Sequence, residues 1–160
     1  MENLIELAKF VKGLAPAGDR WNTDPATDIV NLEFHNRLLA VVHQDGGTTG
    51  KATLTVEACS DAAGTGATAV PFRYRVGSAG AGAGGDGMGA VTAAAAAGFD
   101  TTAATDRLYL LDIKGSELPA GKPWVRVKTV EAVNDPVNGS IDFLLYEPRY
   151  GGATQPTVIA

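Results

Sequence analysis

The feature that most limits what this chain can fold into is an alternation of apolar and polar residues with a period of two, repeated from residue 29 onward. Successive side chains of a strand point to opposite faces, so this pattern suits a sheet covered on one side. In "KATLTVEA", Leu54, Val56 and Ala58 oppose Thr53, Thr55 and Glu57. In "VPFRYRV", Phe72, Tyr74 and Val76 oppose Arg73 and Arg75. Ile29, Asn31, Glu33 and His35 alternate in the same way with Val30, Leu32 and Phe34. "NRLLAVVHQ" is more continuously apolar and reads as a buried strand. "RLYLLDI", "WVRVKTV" and "SIDFLLY" complete the set. Turn chemistry punctuates them at Lys114-Gly115, Pro119-Ala120-Gly121 and Asn138-Gly139. About seven short strands without a convincing interior helix predict an all-β fold, an antiparallel β-sandwich.

The ends follow other rules. Leu4, Leu7, Ala8, Val11 and Leu14 lie at helical spacing, so residues 1–28 are expected to be a short helix or arm with a polar connector. The sandwich is expected over 29–150, interrupted by a Gly/Ala-rich segment at 77–106. The glycine half of that segment has no side chains to bury and reads as a surface loop, while the alanine half suits a short helix. Residues 151–160, with Gly-Gly and a proline, read as an extended C-terminal arm.

With 160 residues the chain has the length of one domain. A net charge of -5 argues against a nucleic-acid partner, which calls for a basic patch to release counterions. Cys59 is the only cysteine, so no intrachain disulfide forms, and folding in a cytoplasm is the simpler expectation. No apolar run is long enough to span a bilayer, and the N-terminus lacks the pattern of a secretory signal.

Two stretches imitate nucleotide sites. "HQDGGTTGKAT" offers Gly50-Lys51, but Asp45 stands where the first glycine of a phosphate loop belongs and Ala52 replaces the magnesium-binding hydroxyl. A strand follows it rather than a helix, so the stretch reads as a hairpin loop. "GAGAGG" at Gly80–Gly85 satisfies the dinucleotide fingerprint in a run rich in glycine, without the repeated crossover units such a fold needs. Asn138-Gly139-Ser140 is a formal glycosylation sequon that reads as a turn. His35 and His43 are the only histidines; neither sits in a metal or hydrolase motif, and both are expected at solvated strand ends. Cys59 reads as a small buried apolar group. Glu33, Glu57, Asp112, Glu131 and Asp142 do not single out a catalytic pair. The expectation is a protein without catalytic residues, cofactor or metal.

Surfaces are more informative. "RLYLLDI" is apolar on both faces, with Tyr109, Leu111 and Ile113 on one and Leu108 and Leu110 on the other. Such a strand is covered twice, by its own fold or by a neighbour. Arg73 with Arg75, and Arg126 with Lys128, place basic pairs on outward faces, either solvated or matched to an acidic partner. Together with Arg149 and Tyr150 these residues form the candidate interface. Trp21, Trp124 and Tyr150 are the aromatic candidates for a carbohydrate- or receptor-binding groove.

The passages "LLAVVHQDGGTTGKATLTVEACSDAAGTGATAVPFRYR" and "DRLYLLDIKGSELPAGKPWVRVKTVEAVNDPVNGSIDFLLYEPRY" resemble, in texture and order, the head decoration (cement) proteins of tailed bacteriophages. The likeness covers most of residues 29–150. It implies a non-catalytic protein, often a homotrimer, that binds the major capsid protein on the capsid exterior. There it would clamp adjacent subunits against the pressure of packaged DNA. A tail or head-fibre component and a receptor-binding module are the alternatives.

Overall fold

In the computed structural model, residues 7–46, 48–79, 86–103, 106–149 and 158–159 are described. Their strands are β1 (Lys9–Ala17), β2 (Val30–Asn31), β3 (His35–Asp45), β4 (Lys51–Cys59), β5 (Thr68–Val70) and β6 (Phe72–Val76). They continue with β7 (Thr92–Ala94), β8 (Phe99–Asp100), β9 (Arg107–Lys114), β10 (Trp124–Val133) and β11 (Asn138–Pro148). One sheet has six strands in the order β1-β11-β3-β9-β6-β7. The other runs β2-β10-β4-β5, with β8 also paired to β4. All pairings are antiparallel, and the expected sandwich is the observed one.

The alternation places the core. Leu54, Val56 and Ala58 of β4 face Val125 and Val127 of β10 on one side and the buried residues of the six-stranded sheet on the other. That second layer is built from Leu38, Ala40 and Val42 of β3, Tyr109, Leu111 and Ile113 of β9, and Ile141, Phe143 and Leu145 of β11. Tyr74 and Phe99 stack at 3.8 Å and help close the gap between the sheets beside β6.

Several expectations fail for identifiable reasons. Residues 9–17 are a strand, not part of a helix. A register shift between Lys12 and Leu14 against β11 inserts an extra residue, so Val11 and Leu14 both turn inward. The bulge thus reproduces the three-residue spacing of a helix face. Gly13 occupies it because a Cβ there would lie 2.9 Å from the Ile141 carbonyl oxygen.

Within the alternating run from Ile29 to His35, only Val30–Asn31 and His35, the first residue of β3, are strand. The alanine run forms β7 and a turn, because alanine's helix preference is weaker than the pairing of Ala93 and Ala94 with β6. Residues 77–106 are therefore not a plain loop: Gly77 bridges to Met88, and β8 pairs with β4. The "GAGAGG" run lies outside the described residues.

Asn138-Gly139 is not a turn but the start of β11, paired with Asp45 and Gln44. A Cβ on Gly139 would meet the Trp21 ring at 2.5 Å, so the glycine admits that buried indole. The C-terminal residues are tied to this chain's own core: Val158 is buried, its carbonyl accepts from the Asn31 amide, and Ile159 bridges to Val30.

Candidate functional site

The stretch that imitated a phosphate loop joins β3 of one sheet to β4 of the other, so it is an arch between layers and not a hairpin. Its amides do converge on an anion, but the anion is internal. The Thr48 and Thr49 amides donate to Asp135 Oδ2 at 2.9 Å, the Gly50 amide at 3.2 Å and the Thr49 hydroxyl at 3.2 Å. Asp135 belongs to the β10–β11 connection, so one carboxylate pins two arches together. These hydrogen bonds, that from Thr49 foremost, hold its pKa below the usual carboxylate value.

No group of three or more His, Cys, Asp or Glu residues is placed to hold a metal ion among the described residues. No helix among them is long and apolar enough to cross a membrane. Cys59 is buried, and burial pushes its thiol pKa up. His35 is not solvated as expected but 1% exposed, because β3 starts beneath the Phe34–Arg149 backbone contact. His43 is exposed, with Nε2 3.7 Å from Asp106.

The two outward sheet faces differ in kind. On the five-stranded sheet, Thr53, Thr55, Glu57, Trp124, Arg126, Lys128 and Val130 point out, with Val130 36% exposed, and the Arg126 Nε donates to Glu57 Oε2 at 2.7 Å across the β4–β10 pair. Arg126 is thereby answered within its own sheet, and Lys128 stands opposite Thr55. On the six-stranded sheet an apolar stripe runs over β1, β11, β3 and β9, and β6 beside it presents Arg73 and Arg75. Phe10 of β1 pairs with Leu144 of β11, Leu144 with Leu39 of β3, and Leu39 with Asp112 of β9. In the adjoining row Val41 pairs with Leu110, and Leu110 with Arg75 of β6. Phe10 at one edge is 63% exposed and Val91 at the other 62%. Leu39, Val41, Leu108, Leu110 and Leu144 between them are half-buried by their neighbours alone.

Polar groups frame the stripe. Arg37 bonds to Asp112, and its guanidinium carbon lies 5.4 Å from the centre of the Tyr146 ring. That hydrogen bond to Asp112 raises the Arg37 pKa above its ordinary value. The Tyr146 hydroxyl donates to the other Asp112 oxygen at 3.2 Å, and burial followed by that carboxylate raises its own pKa. Arg73 Nη1 donates to both Glu117 oxygens at 3.1 Å. Arg75 bonds only to backbone, through Nε to the Gly89 carbonyl at 2.8 Å and Nη2 to the Met88 carbonyl at 3.3 Å.

Of the candidate interface residues, Arg73, Arg75, Leu108 and Leu110 therefore share one face. Arg126 and Lys128 lie on the outside of the opposite sheet. Arg149 stands past the end of β11, its guanidinium 3.0 Å from where a Cβ on Gly115 would sit. Tyr150 lies outside the described residues. Of the aromatic candidates, Trp21 is 1% exposed against Gly139, and Trp124 pairs with Cys59 at the other end of the sandwich, so the two do not line a common groove.

Phe10, Leu39, Val41, Leu144, Tyr146 and Val91 were not among the expected site residues. For four of them the signal was present, since "NRLLAVVHQ" and "SIDFLLY" are apolar on both faces just as "RLYLLDI" is.

No protein family and no curated protein matches this chain. Among solved structures, it is similar to the SPBc2 prophage-derived protein YomS, with 14% identity over 86% of this chain and 91% of that one and a TM-score of 0.45. A structure from infectious bursal disease virus, Gt strain, shares 11% identity over 89% of this chain and 41% of the viral one, at a TM-score of 0.25.

Proposed function

We propose that this chain is a non-enzymatic structural protein of a phage particle, bound to the outside of the head, where it clamps adjacent capsid subunits. The observation that supports the reading is the apolar stripe across the six-stranded sheet. A partly exposed apolar band over four strands, framed by charge, suits an interaction surface better than a solvated face. The mostly polar outside of the other sheet suits the side turned to solvent. The resemblance in "LLAVVHQDGGTTGKATLTVEACSDAAG" and "LDIKGSELPAGKPWVRVK" supplies the particle and the major capsid protein as partner.

Binding the assembled head and not the free subunits stabilises the assembly by mass action, by about 2.7 kcal/mol per site at a hundred-fold excess over Kd. A homotrimer would add avidity to each contact. Purified protein mixed with heads that lack it should co-sediment with them and raise the temperature at which they release DNA. Co-sedimentation with tails alone would favour the fibre reading instead.

A further inference from the structure

On the reading that this chain is an assembly protein, we propose that the outer face of the six-stranded sheet receives a segment of a different protein in which apolar side chains run beside a carboxylate. The carboxylate seats on Arg75, and the apolar side chains cover Leu110, Leu39, Leu144 and Phe10.

The charge pattern carries the inference. Arg37 and Arg73 are already answered by Asp112 and Glu117, whereas Arg75 has no carboxylate partner among the described residues. Its guanidinium is nonetheless fixed, because two backbone carbonyls hold Nε and Nη2 and leave the Nη1 side of the fork open. A guanidinium oriented in advance is suited to bidentate binding of a carboxylate at little further entropic cost. It also lies beside apolar surface, at Leu110 within its own row and at Val91 on the sheet edge. Partial exclusion of water there strengthens a charge pair relative to one in open solvent.

The same row disfavours a second copy of this chain, centred on it, as the occupant. It reads Arg75, Leu110, Val41, Asp142, Lys12 across five strands, with a cation at each end. A two-fold axis along the strands would stack Arg75 over Lys12, and one across them would stack Arg75 over itself. Either arrangement sets like charges together at the rim of an apolar contact, which disfavours the pairing. The β1 edge offers no easier route, since it presents Lys9, Lys12, a bulge and Pro16. From Phe10 on β1 to Arg75 on β6 the surface crosses five strands, about 19 Å, the span of roughly six extended residues.

Binding to undecorated heads would be measured for Arg75→Glu, Leu110→Asp and Lys128→Glu, each first shown to be folded by its thermal transition. Arg75→Glu and Leu110→Asp are expected to weaken binding by about tenfold or more, and Lys128→Glu, on the opposite sheet, to leave it within about twofold. Wild-type binding with unchanged affinity in both face variants would overturn this inference while leaving the head reading intact. Failure of the wild type to bind heads would overturn both. Concentration-dependent self-association of the wild type, abolished by the same two variants, would show the occupant to be a second copy and would also overturn it.

Discussion

At the scale of single residues, Asp135 and Gly139 each decide a piece of geometry that looks like something else in the sequence. The amides of Thr48, Thr49 and Gly50 are the reason "GGTTGK" resembles a phosphate cradle, and Asp135 is the reason it does not act as one. Because the folded Asp135 pKa lies below its unfolded value, its stabilisation is complete above the unfolded carboxylate pKa, about 3.9, and is lost as pH falls through the lower folded value. Asp61, held by the Thr65 amide and hydroxyl and the Ala63 amide, titrates in the same direction. Asp135→Asn is accordingly expected to be less stable than the wild type at neutral pH, with the two urea midpoints converging as pH falls through the lowered Asp135 pKa. Parallel curves across that range would show that the charge is not what pins the arches. Gly139→Ala drives a methyl into the Trp21 ring and should cost about 1–3 kcal/mol in chemical denaturation, the range for overpacking a filled core. An unchanged midpoint would mean that the indole has somewhere else to go.

Among the elements, β1 shows most clearly what can and cannot be read from a pattern. Strands with uninterrupted alternation, such as β4, β6 and β9, stand where the period of two places them, and their inward residues belong to the core. A bulge breaks that period, and in β1 the break falls between the two buried residues that define the pattern. Val11 and Leu14 then carry a helical signature on an extended backbone. Pairing partners are equally silent in the sequence: Asn138-Gly139 has the composition of a turn, and only the proximity of Trp21 explains why a glycine stands within β11. The candidate face was legible in part for the same reason. Leu108, Leu110, Arg73 and Arg75 belong to strands with a clear alternation, whereas Phe10 was hidden in the apparent helix. Arg126 looked equivalent until its cross-strand neighbour proved to be Glu57. Since β1 covers the edge of β11 beside Phe143 and Ile141, deleting residues 1–17 should expose that edge and produce aggregation on expression. A soluble truncated protein with the wild-type thermal midpoint would show that β1 is dispensable.

For the molecule as a whole, the two sheets divide the work between them. One outside is mostly polar, with Arg126 paired to Glu57, and the other carries an apolar stripe beside Arg75, which has no carboxylate partner among the described residues. On the proposed reading the five-stranded sheet faces solvent and the stripe faces the partner, while Val158 and Ile159 close onto β2 of the other sheet. Electron cryomicroscopy of heads assembled with and without the protein tests this directly. The account predicts added density at symmetric positions on the capsid exterior, spanning adjacent subunits, with the six-stranded sheet turned toward the shell. Density confined to the tail, or a molecule seated on the shell through Arg126 and Lys128 of the five-stranded sheet, would contradict it.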